Sequence, residues 1–393
     1  MGPLVQELQR RTGRYGEAEK YAWESSLGLM AQVLRRTRLG EAHIHLDPPS
    51  MSLEYRLPAS SSWCDAVLLG RGRGTSAAVV LELKDWELTG DEPGPREGLV
   101  RHQGRFTLHP GEQLRGYVEY CRRFHSAVQE AKATVSGCVF FTRAADLEAY
   151  RSAPHARLAE LFPLFGASEQ DLVERLPRHL EGVITEPDPA FATAFEQGTY
   201  HQERNFVRQV AAALQDPANE QFVLLDHQRL GFERCLEVIE RVRATRARAV
   251  IVVVGPPGSG KSVLAANLWA RLVHDPRFQG SVVFTTTSAS QKANWKTIFE
   301  GLGETPGAAG VVVPANEFNP GLTPAWVKQM RSAGKVVEVE TWKDNLELFR
   351  RAGARSRMPE DQFDVAIVDE AHALIDPTAP GKRGVSPSGW AMH

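Results

Sequence analysis

The order of hydrophobic and polar positions divides the chain into a first half of mixed pattern and a second half that alternates. In the first half, helical spacing of apolar residues predicts helices over residues 16–36 and from Pro110 to about Gln129. Apolar runs of strand length predict strands at residues 53–57, 63–69, 77–84 and 137–142. Glycines within residues 70–74 predict a hairpin between the second and third of these strands.

From about residue 246 onward, strand-like and helix-like segments follow each other in alternation. Strands are predicted at residues 249–254, 281–286, 311–314, 336–340 and 365–368. The helices predicted between them begin near Val263 and lie near residues 290–300, 323–332 and 343–352. This order predicts an α/β fold with a parallel sheet that is covered on both faces.

The proline-containing stretch Thr185–Ala190 is typical of a linker. It suggests three parts: a first domain over residues 1–185, a linker with a helical segment over residues 186–245, and a second domain over residues 246–393. A length of 393 residues fits two domains.

Composition excludes some classes of function and leaves others open. The chain has 46 basic and 48 acidic residues, so any surface that binds nucleic acid must be local. The four cysteines form no paired motif, which argues against a zinc site or a disulfide framework and fits a reducing cytosol. No apolar run reaches the length of a membrane span, so we expect a cytoplasmic protein without a membrane partner.

A phosphate-binding loop is the strongest chemical signal. Residues 255–262 read Gly-Pro-Pro-Gly-Ser-Gly-Lys-Ser, directly after an apolar run and directly before a predicted helix. Such a loop directs backbone N–H groups at phosphate oxygens, and the helix N-terminus adds a favourable partial charge. The predicted nucleotide-binding residues are Gly255, Gly258, Ser259, Gly260, Lys261 and Ser262. Lys261 is expected to reach the β- and γ-phosphates of ATP, and Ser262 to bind Mg²⁺.

A second acidic motif, Asp369-Glu370-Ala371-His372, follows the apolar strand at residues 365–368. Carboxyl ends of parallel strands meet at the edge of the sheet where the phosphate-binding loop opens. We therefore expect Asp369 to hold Mg²⁺ through water, and Glu370 to orient and deprotonate the water that attacks the γ-phosphate. His372 is expected to sense the nucleotide.

Together these two motifs resemble the nucleotide site of superfamily 1 and 2 helicases. Gln228, in the sequence Leu-Leu-Asp-His-Gln, resembles the adenine-reading glutamine of superfamily 1, and residues 284–289 resemble a segment that touches single-stranded nucleic acid. The latter is alternatively an ordinary strand end. Residues 220–393 thus resemble a schlafen-type helicase domain. That resemblance implies a second lobe with an arginine finger, supplied by a partner chain or a further segment, and slow ATP turnover by this chain alone.

The first half carries a separate set of polar residues. Asp65 interrupts one apolar strand, and alternation along the next places Glu82 and Lys84 on one face. The hairpin would bring Asp65 beside Glu82. Two adjacent buried carboxylates repel each other unless a cation joins them, so Mg²⁺ or Mn²⁺ is expected there, with the Leu83 carbonyl as a further ligand. Lys84 is expected to stabilise the attacked phosphate.

This pattern resembles the PD-(D/E)xK nuclease core, a restriction-endonuclease-like α/β domain. Gln113 and Tyr117 match the Gln-x-x-x-Tyr motif of its recombination-nuclease branch. Glu24 occupies the place of that family's first-helix acid, although it is alternatively a helix-surface residue. The resemblance implies catalytic roles for Asp65, Glu82, Lys84, Gln113, Tyr117 and Glu24.

The combined interpretation is a metal-dependent nuclease joined to an ATP-binding superfamily 1 motor lobe. DNA is favoured over RNA as the nucleic-acid partner, and the resemblance implies DNA processing or defence against phage. Two alternatives stay open. One is an ATP-gated binding or sensing module with an inactive nuclease fold. The other is a restriction-type superfamily 2 translocase subunit, against which Gln228 argues.

Overall fold

The computed structural model describes residues 2–37, 51–201 and 223–273, and shorter pieces at 275, 277, 282–286, 295, 312–314 and 364–371. Contacts divide the chain into two compact units, described separately below. The first unit comprises Met1–Arg204 and Val223–Ile251. The second comprises Asn205–Phe222 and Val252–His393. The helical segment before the phosphate-binding loop thus packs with the first unit, which differs from the expected boundaries at residues 185 and 245.

Helices and strands of the first unit follow the predicted mixed order. Its described helices are α1 (Gly2–Thr12), α2 (Glu17–Arg35), α3 (Pro110–Phe124), α4 (Ser126–Ala131), α5 (Glu148–Arg151), α6 (Ala156–Leu161), α7 (Leu176–Val183), α8 (Pro189–Glu196) and α9 (Asp226–Thr245), with a π-helical turn at Asp171–Arg175. Its described strands are β1 (Met51–Arg56), β2 (Trp63–Gly72), β3 (Thr75–Lys84), β4 (Glu92–Pro93), β5 (Leu99–His102), β6 (Arg105–Leu108), β7 (Thr134–Phe141) and β8 (Leu164–Phe165).

A five-stranded mixed sheet forms the centre of this unit, in the order β1-β2-β3-β7-β8. The first three strands are antiparallel neighbours, whereas β7 joins β3 in parallel and β8 joins β7 in parallel. The β2–β3 hairpin turns at Arg73 and Gly74, whose positive φ angles of 50° and 81° suit a tight two-residue turn. Strands β4, β5 and β6 form a separate antiparallel ribbon.

Side chains of alternating position fill a core on each face of the sheet, as strand geometry requires. Val67 and Val80 pack in one core with Leu114 of α3. Leu68 and Leu81 pack in the other core, which includes Met30 of α2 and Leu180 of α7. Helices therefore cover both faces, and α3 lies on the same side as Val80.

The stretch Thr185–Ala190 is part of the first unit and differs from the expected linker. Asp188 is buried, accepts hydrogen bonds from Arg71 and Ser76, and caps α8 through the Phe191 amide. A buried carboxylate needs such partners, and these three are anchored in folded elements. The proline residues therefore mark a helix start instead of a mobile connection.

The described part of the second unit contains helix α10 (Lys261–Val273) and strands β9 (Val282–Thr286), β10 (Val312–Pro314) and β11 (Val365–Asp369). The three strands are parallel in the order β10-β9-β11, and α10 packs on β9 and β11. The helices predicted near 290–300, 323–332 and 343–352 and the strand predicted at 336–340 lie outside the described residues, apart from the single position Trp295.

The strand predicted at residues 249–254 is not present. Val250 and Val254 are 90% and 89% exposed, and the run adopts no regular secondary structure. An apolar run becomes a buried strand only where a neighbouring strand accepts its backbone hydrogen bonds. Within the described sheet, β9 has β10 and β11 as its neighbours, and none of these strands pairs with the run.

All four cysteines are free and buried. No helix in the described ranges combines the length and the apolar character that crossing a bilayer requires.

Candidate functional sites

The phosphate-binding loop of the second unit has a backbone shaped by two glycines. Gly258 and Gly260 have φ angles of 76° and 83°, a region that other residues adopt at a cost. Lys261 lies at the start of α10, and its Nζ is 2.9 Å from the carbonyl oxygens of both Gly255 and Pro256. The Lys261 ammonium thus lies over the loop, where a phosphate would present oxygen acceptors of higher charge.

Helix α10 and strand β11 bring the other two predicted metal ligands together. The Ser262 hydroxyl donates to Asp369 Oδ1 over 3.0 Å. Asp369 ends β11 at the level of Thr286 on β9, so both lie at the carboxyl end of the parallel sheet. Asp369 is buried, and within the described chain its Oδ2 atom has no hydrogen-bond partner.

In the first unit, Lys84 lies at the centre of a network of polar side chains. Its Nζ atom donates to Glu82 Oε1 over 2.6 Å and to Gln113 Oε1 over 3.0 Å. Glu82 and Lys84 share a face of β3 because side chains alternate along a strand. Gln113 reaches them from α3, which covers that face.

The network continues along α3 to a residue that the sequence analysis did not assign to this site. Gln113 Nε2 donates to the Tyr117 hydroxyl over 2.8 Å, since residues four apart share a helix face. The Tyr117 hydroxyl donates to Asp226 Oδ1 over 2.7 Å. Asp226 belongs to the segment interpreted as an adenine-binding motif, and no local spacing connects it to Tyr117. We call Asp65, Glu82, Lys84, Gln113 and Tyr117 the Lys84 cluster.

Asp65 joins this cluster through the register of the hairpin. The register pairs Ala66 with Leu81, which places the preceding residue, Asp65, at the level of Glu82. The Leu83 amide donates to Asp65 Oδ2 over 2.7 Å, so the carboxylate is fixed against β3. The Asp65 carboxylate is close enough to Glu82 to raise the pKa of that residue.

The sequence profile described as AAA domain matches residues 243–383. The matched range contains the phosphate-binding loop and the motif around Asp369. These residues form a P-loop NTPase domain. No curated protein and no solved structure matches the chain. The match confirms the prediction of a nucleotide-binding P-loop fold, and it implies ATP as the ligand together with Mg²⁺.

The NTPase domain offers a suitable set of oxygen atoms for Mg²⁺. Ser262 supplies a hydroxyl, and Asp369 supplies a buried carboxylate with one oxygen unpartnered in the described structure. Mg²⁺ prefers such oxygen ligands together with phosphate oxygens and water. A buried carboxylate oxygen without a hydrogen bond is costly, and a cation in this position would remove that cost.

Of the three remaining residues predicted for the nucleotide site, the structure describes Glu370 and Gln228. Glu370 follows Asp369 and adopts a φ of 57°, which turns the chain away from the strand direction directly after β11. His372 lies outside the described residues. Gln228 lies in α9 of the first unit, and its side-chain oxygen accepts a hydrogen bond from the Leu225 amide over 3.3 Å. Its role as an adenine reader stays a prediction.

Burial and mutual repulsion shift the pKa values of the Lys84 cluster. Desolvation raises the pKa of Glu82, and the neighbouring Asp65 carboxylate raises it further. Desolvation also raises the pKa of Asp65, although Lys84 partly offsets this effect. Burial alone would lower the pKa of Lys84, but the carboxylates of Glu82 and Asp65 outweigh it and raise that pKa. Lys84 therefore stays charged at neutral pH.

The Lys84 cluster also contains oxygen atoms that could bind a cation. Glu82 is 2% exposed, and its Oε2 atom has no hydrogen-bond partner among the described residues. No group of three or more histidine, cysteine, aspartate or glutamate side chains in the described ranges is arranged around one metal position. The available ligand set is therefore two carboxylates, Asp65 and Glu82, completed by the Leu83 carbonyl, water or phosphate oxygens.

Glu24 differs from its expected place in this site. It is exposed on α2, whereas Trp23, one residue earlier, is buried at 6% exposure. Successive helical residues are about 100° apart around the axis, so the two side chains diverge. A cavity of about 160 Å³ beside Asp65 is lined by Trp23 and Glu54, and its lining does not include Glu24.

Glu54 is the acid that occupies this neighbourhood instead. It is 4% exposed, and it accepts hydrogen bonds from Trp23 Nε1 over 2.6 Å and from Arg14 Nη1 over 3.3 Å. Desolvation, followed by repulsion from Asp65, raises its pKa to about 7. The sequence analysis missed Glu54 because no motif marks it. Its place opposite Asp65 follows only from the pairing of β1 with β2.

Proposed function

We propose that the first unit is a Mg²⁺-dependent nuclease that cuts DNA, and that it is joined to an ATP-binding motor lobe of the superfamily 1 helicase type. The observation that carries the nuclease half is the position of Lys84. Its ammonium lies 2.6 Å from Glu82 Oε1, and the other oxygen of the same carboxylate is buried and has no hydrogen-bond partner in the part of the chain that the structure describes. A fixed cation beside an unsatisfied anion suits a site that receives a metal ion and a phosphate.

Each residue of the cluster has a separate task in this proposal. Asp65 and Glu82, with the Leu83 carbonyl, would hold the divalent ion, which supplies Lewis-acid stabilisation and an activated water when bound. Lys84 donates to a phosphate oxygen on which negative charge develops during cleavage. Gln113 holds the Lys84 ammonium in place, because it offers the second acceptor at 3.0 Å. Tyr117 in turn orients the Gln113 amide.

The second unit provides the nucleotide chemistry of the proposed motor. Lys261 would exchange the loop carbonyls for the β- and γ-phosphates of ATP. Ser262 and Asp369 would hold Mg²⁺, and Glu370 would orient the attacking water. Support for a helicase-type lobe comes from Gln228 and from Thr286, which lies level with Asp369 at the carboxyl edge of the sheet. DNA processing or defence against phage is the biological setting that we infer from pairing these two activities.

Cleavage by the full chain tests the nuclease half directly. Supercoiled DNA, linear DNA and single-stranded RNA are incubated with Mg²⁺, with Mn²⁺ or with a chelator, in the absence of ATP. We expect DNA cleavage that requires a divalent ion and is abolished in Asp65→Ala, Glu82→Ala and Lys84→Ala. Arg178→Ala, a change on the exposed face of α7, is a matched control that should cut like the wild type.

Three other outcomes would change the proposal. Cleavage that persists in all three cluster variants would refute the assignment of the site. Cleavage of RNA but not DNA would replace the substrate. A wild type that binds DNA but never cuts it would favour the binding or sensing module with an inactive nuclease fold.

A further inference from the structure

Asp226 connects helix α9 to the end of the polar network around Lys84. Its Oδ1 atom accepts from the Tyr117 hydroxyl over 2.7 Å, and its Oδ2 atom accepts from the Ser62 hydroxyl over 2.5 Å. Asp226 adopts a φ of 36°, a strained value for a residue with a side chain. Surrounding contacts must therefore hold this residue in place.

Two ion pairs supply that constraint by fixing α9 against the rest of the first unit. Arg229, one turn after Asp226, pairs with Glu112 at the beginning of α3, and both side chains are buried. Glu233, one turn further along α9, is buried, and its Oε2 atom lies 2.6 Å from Arg96 Nε. Helix α9 is thus anchored next to α3, the helix that carries Gln113 and Tyr117.

The chemistry of the carboxylate fixes the direction of every hydrogen bond that follows. An ionised carboxylate can only accept, so the Tyr117 hydroxyl must donate its single proton to Asp226. The Tyr117 oxygen is then left to accept, and only the amide nitrogen of Gln113 can donate to it. The Gln113 carbonyl oxygen must therefore face Lys84, which has donors and no acceptor.

We infer that Asp226 is a positioning residue that sets the orientation of Lys84 through Tyr117 and Gln113. Its consequence for catalysis rests on the proposed nuclease function, whereas the orientation itself is a structural property of the first unit. Among the described hydrogen bonds, Asp226 reaches Lys84 only through Tyr117 and Gln113, and its negative charge also acts directly on Lys84 and Glu82.

Removal of the Asp226 carboxylate would allow the hydrogen bonds between Tyr117, Gln113 and Lys84 to change direction. In Asp226→Ala the Tyr117 hydroxyl loses its acceptor, and a rotated Gln113 amide would offer it the carbonyl oxygen instead. The amide would then turn its nitrogen towards Lys84, and two donors cannot bond to each other. Lys84 would keep only Glu82 as an acceptor.

Steady-state cleavage by the full chain measures the effect. We expect kcat to fall roughly 10–100-fold in Asp226→Ala, the range seen when a supporting hydrogen-bond partner of a functional group is removed. KM for DNA should change less than about threefold, because the lost interaction serves the transition state. Asp226→Asn keeps an acceptor without fixing its orientation, so its kcat should lie between the wild type and the alanine variant.

Two further variants separate positioning from general destabilisation. Ser62→Ala removes the other hydrogen bond to the Asp226 carboxylate but leaves the path to Lys84, and it should retain wild-type kcat. Tyr117→Phe breaks the path one step later. The double variant Asp226→Ala/Tyr117→Phe should therefore lose less than the product of the two single losses. Multiplied effects in the double variant, or an equal loss in Ser62→Ala, would overturn the inference.

Crystal structures of the wild type and of Asp226→Ala provide a readout that does not need activity. We expect the contact between Lys84 Nζ and Gln113 Oε1 to be lost in the variant and kept in Ser62→Ala. An unchanged contact in Asp226→Ala would refute the positioning role. If the wild type cuts no nucleic acid, the nuclease proposal fails, and these distances alone decide whether Asp226 sets the orientation of Lys84.

Discussion

The two candidate sites hold their central lysines in contrasting ways. Lys261 contacts the carbonyl oxygens of Gly255 and Pro256, which belong to its own loop. Lys84 contacts side chains from β3 and α3, and these are linked to α9. The first arrangement is built from neighbouring residues of one motif, whereas the second is assembled from residues far apart in the chain.

This difference shows how far each site is organised before its ligand binds. Backbone carbonyls near Lys261 are weak competitors for an ammonium, so a phosphate displaces them and itself completes the loop. Carboxylate and amide partners hold Lys84 before any ligand arrives, which is the form of preorganisation that stabilises developing charge. The proposed nuclease site is thus sensitive to distant substitutions, and the phosphate-binding loop is sensitive mainly to its own residues.

The largest effects should come from exchanging the two lysines, one at a time, for methionine. Lys84→Met should lower the rate of DNA cleavage roughly 10²–10³-fold, the usual loss for a donor at developing charge. It should leave ATP affinity unchanged. Lys261→Met should weaken ATP binding and leave ATP-free cleavage unchanged. Cleavage kinetics and titration with a fluorescent ATP analogue test both variants, and a loss of both properties in either variant would show that the sites are not independent.

Asp369→Asn should have the next largest effect. The asparagine keeps an acceptor for Ser262 but removes the negative charge opposite Mg²⁺. We expect the affinity for ATP in the presence of Mg²⁺ to fall about 10–100-fold, since even outer partners of a metal have effects of that size. Calorimetry with Mg²⁺ and with a chelator measures the difference between the two conditions, which should shrink in the variant. An unaltered difference would exclude Asp369 as a ligand.

Glu82→Gln should change the dependence of stability on pH. Because burial raises the pKa of Glu82 above its ordinary value of 4.5, ionising this carboxyl costs stability as the pH rises above that value. The wild type should therefore lose roughly 1–3 kcal/mol more stability than the glutamine variant between acidic and alkaline pH, because one pKa unit corresponds to about 1.4 kcal/mol. The variant should keep a smaller pH dependence, because burial also raises the pKa of Asp65 and of Glu54.

Metal addition provides the control for this titration. A divalent ion between Asp65 and Glu82 favours their charged forms, so Mn²⁺ should raise the unfolding temperature of the wild type more at high pH than at low pH. Glu82→Gln should lose most of that response. Thermal unfolding across a pH series measures both quantities, and an equal metal response in the two proteins would argue against this metal position.

The smallest effect should come from Glu24→Gln. Glu24 is exposed, and surface substitutions of this kind usually change the free energy of unfolding by less than about 0.5 kcal/mol. DNA cleavage should stay within about twofold of the wild type. Glu54→Gln, at the buried acid beside Asp65, is the informative partner variant. A large loss of cleavage in Glu24→Gln would instead restore the role that the sequence pattern suggests.

Local patterns predicted those parts of the sites that lie within one element or one hairpin. The glycine spacing predicts the phosphate-binding loop, and strand alternation with hairpin register places Asp65, Glu82 and Lys84 correctly. The glutamine and tyrosine of α3 follow from helix periodicity. In each case the distance along the chain is short, so geometry within one element or hairpin determines the neighbours.

Local sequence patterns could not predict the contacts between distant segments of the chain. Asp226 meets Tyr117 because two ion pairs fix α9 beside α3, and nothing in the local sequence states that pairing. Glu24 is exposed, which agrees with the helix-surface alternative for this residue. The run Val250–Val254 has the composition of a buried strand, but burial depends on a neighbour that composition does not specify.

Helix α9 also sets a limit on how this protein can be divided or recombined. A fragment that stops at residue 185 would remove Arg229 and leave Glu112, which is 2% exposed, with Arg115 as an ion-pair partner. Removing one partner from a buried ion pair costs up to about 3–5 kcal/mol. The segments that must be kept together are therefore the N-terminal unit and residues 226–245. Any gene fusion that joins the proposed nuclease unit to another domain must therefore include this helix.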